Sequence, residues 1–256
     1  MRWFAIVNLV ANFQYFRFLD FRLSFFDFRF FTTKMSDFFS VKHIIFSWYG
    51  YDMSYIELLG AVFGLWAVVL STQERVSSWY IGVVNVLLSF WMFYQIQLYS
   101  DMFLQVYFLI TNLLGWYWWT HPRKGAENEI NQLKISILNN KEKINYSVII
   151  FVGTVLCGFF IGHIHELFPL FFQKPAAFPY WDTFVMVASI VAQYLLTKKK
   201  LDAWTLWIIV DVVATVIYFQ KNILLYSVEY FIFCAVAAYG FWNWRKTIRF
   251  SSTLAL

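Results

Sequence analysis

A carboxylate inside an apolar helix is the pattern in this sequence with the clearest chemical meaning. Residues 204–220, WTLWIIVDVVATVIYFQ, are long and apolar enough to cross a bilayer and carry Asp211 near their middle. A carboxylate at that depth costs about 2.5–3.5 kcal/mol on insertion scales, so it must face a protein interior or a polar cavity rather than lipid. Trp207 and Tyr218 are spaced to share the helical face of Asp211, and Trp204 with Trp207 places two indoles one turn apart.

The other polar groups within apolar runs are few: Asn85, Gln95, Gln105, Asn112, Gln193, Tyr226 and Glu229. Gln105 and Asn112 fall on one helical face, as do Asp211 and Tyr218, and Glu229 lies one turn beyond Tyr226. Amides and hydroxyls of this kind suit neutral amides and sugar hydroxyls, but they are poor general bases and no nucleophile is paired with a base. The competing reading is that they join helices, at about 0.6 kcal/mol per bond. Trp118, within the run GWYWW at 115–119, either belongs to an interfacial belt or points inward and stacks on a flat ring. These eleven residues are the candidate substrate-binding set, with the Trp204, Trp207 and Asp211 pattern and the Gln105 and Asn112 face foremost.

Metal and cofactor chemistry find no support. His163 and His165 in HIHELF are two positions apart and face away from each other on a helix, with only Glu166 beside them. Cys157 and Cys234 each fall inside an apolar run and read as small buried side chains. No Gly-rich phosphate loop, HExxH or GxSxG motif is present.

The elements that must position these residues are membrane spans. Hydrophobic residues make up 61% of the 256 positions and charged residues 14%. The apolar residues come in continuous runs, which favours a helical bundle over a β-barrel. Seven runs are expected to span: residues 55–70, 79–96, 102–119, 146–162, 182–196, 203–219 and 224–244. The net charge of +5 would suggest nucleic acid in a soluble protein, but the basic residues gather between the runs, as in cytoplasmic loops. They cluster at Arg123 to Lys143, at Lys198, Lys199 and Lys200, and at Arg245, Lys246 and Arg249, so the core is expected to run N-terminus out and C-terminus in. Residues 16–31, a Phe surface interrupted by Arg17, Arg22 and Arg29, read as an amphipathic helix at the membrane face, and Met35 is an alternative start.

An internal repeat organises the rest. A displacement of 125 positions brings Glu57 onto Asp182, Thr72 onto Thr197, Trp79 onto Trp204, Gly115 onto Gly240 and Trp119 onto Trp244. Each half holds three spans, and the span between them restores the starting side, so the halves are expected to be parallel. The expected fold is therefore an all-α integral membrane protein with seven core transmembrane helices. They form two parallel three-helix repeats joined by a linking helix (3+1+3), plus an N-terminal amphipathic or weakly spanning segment. Its parts are 1–54, the N-terminal segment; 55–120, the first repeat; 121–181, the linker, linking helix and external loop; 182–245, the second repeat; and 246–256, a cytoplasmic tail.

Trp79 with Asn85, LYSDMFLQ at 98–105, GWYWW at 115–119, KKKLDAWTLWIIVD at 198–211 and YGFWNW at 239–244 resemble the PnuC family of bacterial vitamin transporters, specifically its nicotinamide riboside members. The resemblance covers about residues 55–245. It implies an architecture similar to SWEET sugar transporters and facilitated diffusion of nicotinamide riboside across the bacterial inner membrane. The bundles would rock around a midplane site, and a cytosolic kinase would trap the product. A homo-oligomer, a trimer, is also implied. The alternatives are another vitamin such as thiamine on the same scaffold, or an intramembrane enzyme or structural subunit. No cofactor, metal or nucleic-acid partner is expected.

Overall fold

In a computed structural model of the chain, the described residues are 38–48, 51–96, 99–128, 131–167, 178–220 and 224–253. Two short strands, β1 (Ile44–Trp48) and β2 (Tyr51–Ser54), pair antiparallel, setting Phe46 opposite Met53 and Ser47 opposite Asp52. This hairpin lies within the segment to residue 54, ahead of the helices. IIFSW is built of β-branched and aromatic residues that favour an extended backbone, and the Ser47 hydroxyl donates to Asp52 across the pair. The Arg-interrupted stretch at residues 16–31 and the alternative start at Met35 lie outside the described residues.

Ser54 ends the hairpin and caps the first helix, α1 (Tyr55–Thr72). Its hydroxyl accepts from Glu57 N, and the Glu57 carboxylate accepts from Ser54 N, which is a capping box. The remaining helices are α2 (Ser77–Gln95), α3 (Tyr99–Thr120), α4 (Asn140–Leu167), α5 (Pro179–Thr197), α6 (Asp202–Gln220) and α7 (Leu224–Thr253). Asn139 and Glu142 exchange the same reciprocal bonds at the start of α4, at 2.8 and 2.9 Å. This starts the helix six residues before the apolar run at Tyr146. Pro179 occupies the first turn of α5, where its missing N–H costs nothing. Helix α7 continues past Trp244 into the basic tail, because RKTIRF contains no helix breaker.

The helices occupy the seven expected runs. Three of them, α1, α4 and α6, are long and apolar enough to cross a membrane. Helix α4 leaves Phe151 and Leu156 70% and 65% exposed, a surface suited to lipid. Helix α1 packs on α2 and α2 on α3; α5 packs on α6 and α6 on α7; α4 lies against α5. The first three helices meet the last three along α1–α7 and α3–α5.

Several features recur 125 positions apart. Glu74, after α1, and Lys199, after α5, both have positive φ, at 60° and 52°. The indole of Trp79 packs on Gly115 so closely that a Cβ there would lie 2.5 Å from the ring, and a Cβ at Gly240 would lie 2.8 Å from the Trp204 ring. Trp79 meets Trp119 edge-on at 5.1 Å, and Trp204 meets Trp244 edge-on at 5.4 Å. Trp119 Nε1 donates to Leu196 O at 3.3 Å, while Trp244 Nε1 donates to Ser71 O at 3.1 Å, each reaching into the other helix set.

The linker after α3 is anchored rather than free. Leu133 N donates to Trp119 O, Ser136 N donates to Lys199 O at 3.1 Å, and Leu201 N donates back to Ser136 O at 2.9 Å. Asp202 accepts from Leu138 N at 2.8 Å and pairs with Lys143 at 3.3 Å. Ile135 and Leu138 thereby enter the buried cluster formed by Trp79, Trp119, Trp204 and Trp244.

Candidate functional site

Between the two helix sets lies a cavity of about 750 Å³, lined by residues of all seven helices. That is the size range of small-molecule sites. Small residues on α1 make room for it: Gly60, Ala61 and Gly64 line the wall, and a Cβ at Gly64 would lie 3.0 Å from Asn85 Nδ2. Asn85 is held by donating to Gly60 O at 2.8 Å, and Asn112 by donating to Phe108 O at 2.7 Å. The Asn85 bond joins α2 to α1, the joining role weighed against substrate contact, whereas the Asn112 bond stays within α3.

Nine of the eleven sequence candidates line this cavity: Asn85, Gln105, Asn112, Gln193, Trp207, Asp211, Tyr218, Tyr226 and Glu229. Gln105, Gln193 and Asp211 are buried within the protein, and among the described residues no group donates to the Asp211 carboxylate. Tyr218 stacks between Tyr226, at 5.4 Å, and Tyr230, at 5.3 Å, forming an aromatic wall. The other two candidates lie elsewhere. Gln95 accepts from Val41 N at 3.1 Å and donates to Phe39 O at 2.8 Å, tying α2 to the chain before β1. Trp118 lies under Lys198, whose Nζ is 3.2 Å from the ring centroid, on the basic side of the molecule. Neither lines the cavity.

Sequence reasoning did not place Glu57 or Asp182 in the site, although both line the cavity. Glu57 accepts from the Tyr226 hydroxyl at 3.4 Å, which joins the start of α1 to α7. The available signal was their equivalence as the acidic residue opening each half. Four carboxylates thus line the cavity, from Glu57, Asp182, Asp211 and Glu229, and among the described lining residues there is no Lys, Arg or His. Such a lining attracts cations and repels anions. Trp204 also lines it, but its ring is 1% exposed and pinned between Gly240 and Trp244, so it acts as a wall. His163, His165 and Glu166 are at the end of α4, and among the described residues no three His, Cys, Asp or Glu side chains cluster as a metal site would require.

Residues 54–246 match the family model described as nicotinamide mononucleotide transporter. The chain is 34% identical to the nicotinamide riboside transporter PnuC of Escherichia coli strain K12, over 86% of this chain and 99% of that one. It is 26% identical to the nicotinamide riboside transporter PnuC of Neisseria mucosa over 77% of this chain and 74% of the relative. The riboflavin/roseoflavin transporter RibM of Streptomyces davaonensis is 23% identical, covering 79% of this chain and 86% of its own. The fold is similar to the crystal structure of the vitamin B3 transporter PnuC, with a TM-score of 0.56 at 23% identity, covering 76% of this chain and 82% of that one.

Proposed function

The chain belongs to the nicotinamide mononucleotide transporter family, which includes the PnuC nicotinamide riboside transporters, and from that premise we propose that it carries nicotinamide riboside into the cytoplasm across a bacterial inner membrane. Its role is transport rather than catalysis. The observation that carries the choice of cargo is the cavity lining, with four carboxylates and no basic residue among the described residues. The riboside has a cationic ring, a carboxamide and ribose hydroxyls. The unpaired Asp211 carboxylate offsets the ring charge, the tyrosine wall takes its face, and Gln105 and Gln193 serve the neutral groups. A mononucleotide adds a phosphate dianion, which would meet carboxylates on all sides without a cation to hold it.

Helix packing and the recurring features support two parallel three-helix repeats joined by α4, in the order 3+1+3. Transport then proceeds by rocking of the two bundles about the cavity. No coupling ion is invoked, so uptake is facilitated diffusion, made one-way by cytosolic phosphorylation of the riboside. The basic loops then face the cytoplasm, as their Lys and Arg bias favours. A homo-oligomer, a trimer, remains the proposed assembly.

Calorimetry on the purified protein tests the cargo. The riboside should bind, the mononucleotide should bind at least tenfold more weakly, and thiamine should fail to displace the riboside. Equal affinity for the phosphate ester would overturn the electrostatic argument. Displacement by thiamine would reassign the cargo, because thiamine also carries a cationic ring and the carboxylates alone do not separate the two.

A further inference from the structure

The end of the cavity nearest the basic loops is closed by a set of contacts that join the two helix sets. Lys199 Nζ lies 2.9 Å from Glu74 Oε2, with the lysine side chain 0% exposed and the glutamate 19%. The ammonium also sits 4.7 Å from the centroid of the Trp119 ring. Around it run the crossed indole bonds of Trp119 to Leu196 O and Trp244 to Ser71 O, and Asn243 Nδ2 donates to Thr72 O at 2.7 Å. Ser71, Ser78, Trp79, Leu196 and Trp204, beside these contacts in sequence, also line the cavity. The contacts are therefore its floor.

The floor is unevenly held. The linker bonds to the Lys199 turn through Ser136, whereas the Glu74 turn forms backbone bonds within its own half. Separation across the Glu74–Lys199 pair breaks one ion pair, two indole bonds and one amide bond, and it strains the linker, which is bonded to both halves through Leu133 N to Trp119 O and through Ser136 to the Lys199 turn. Any solute leaving the cavity through this end must cross that seam.

We propose that Glu74 and Lys199 form a latch that holds the cavity shut toward the side of the basic loops, and that it opens once in each transport cycle. Removing the Glu74 charge leaves Lys199 as a buried cation without its partner, a state that favours separation of the halves and hydration of the ammonium. The latch shifts the balance between closed and open forms without touching the substrate. The inference rests on the transporter reading, but it concerns access to the cavity and not the identity of the cargo.

The test reads that access directly. With Cys157 and Cys234 replaced by alanine, Ser78→Cys places a thiol on the cavity floor, and a membrane-impermeant maleimide is added to vesicles of either orientation. Glu74→Gln should speed labelling from the basic side about tenfold, equivalent to about 1.4 kcal/mol in the closed–open balance. Glu74→Asp, which shortens the reach but keeps the charge, should give an intermediate rate. It also carries the test if Glu74→Gln does not fold. Labelling from the opposite side should not rise. Unchanged labelling from the basic side, or an equal rise from both sides, would overturn the proposal and make the pair a structural brace. Neither result depends on riboside binding, so a wrong cargo and a wrong latch remain distinguishable.

Discussion

Glu74 and Lys199 stand 125 positions apart, each in the turn after the first helix of its set and each with positive φ, and they are ion-paired to one another at 2.9 Å. One position thus carries opposite charges in the two halves, and the charges meet where the halves meet. An identical residue at both positions would place two like charges face to face.

The pair sets a pH dependence. Burial pushes the Lys199 ammonium below its ordinary range, and Glu74 opposes that shift. Between the folded and ordinary values the unfolded chain binds more protons, so stability rises with pH across that window. Glu74→Gln removes the opposing interaction and extends the window downward. Below the ordinary lysine value of 10.5, the variant should gain more stability than the wild type as pH rises, measured by thermal unfolding in detergent. Parallel curves for the two proteins would show that Glu74 does not act on the lysine.

Asp211→Asn should weaken binding of the cationic riboside by about 10–100-fold, the cost of removing one member of a buried charge pair. The reduced dihydro form of the riboside is uncharged and should lose little. Calorimetry with both ligands makes the comparison. Equal losses would assign Asp211 to helix packing.

Gly115→Ala and Gly240→Ala should each destabilise the protein by about 1–3 kcal/mol, because the new methyl meets an indole wall at 2.5 or 2.8 Å. Gly60→Ala serves as the control, since its nearest neighbour is Ser89 Oγ at 3.8 Å. Trp79→Phe should recover part of the loss in Gly115→Ala and none in Gly240→Ala. Thermal melting of these variants beside the wild type decides it.

Asp202→Ala should release the linker, because the carboxylate both accepts from Leu138 N and pairs with Lys143. A bond to a charged group is worth about 1.5–3 kcal/mol, so local opening should increase about tenfold or more. Trypsin cutting at Lys134 reports it, and an unchanged cleavage rate would show that Ile135 and Leu138 hold the segment alone.

The positions of the seven helices were legible in the sequence because each is a long apolar run, and Asp211 stood out because a carboxylate is costly there. The floor of the cavity was not legible. A repeat reveals which residues are equivalent, but it does not say that equivalent residues touch, as Glu74 and Lys199 do. Glu57 was hidden for a related reason: near a helix start it reads as a cap, and it is one, yet the same carboxylate also faces Tyr226. Trp118 looked suited to a flat ligand by its type alone, and the lysine that covers it is 80 positions away in the chain.

The crossed indole bonds bear on how the chain is made. Trp244 reaches Ser71 across 173 positions, and Trp119 reaches Leu196 across 77. During synthesis the first helix set emerges with its side of the seam open, and the last bond closes only when the final helix leaves the ribosome. A chain truncated before Trp244 can form most of its helices but not the closed floor. Completion of the C-terminal helix is thus the step that closes the seam between the two helix sets.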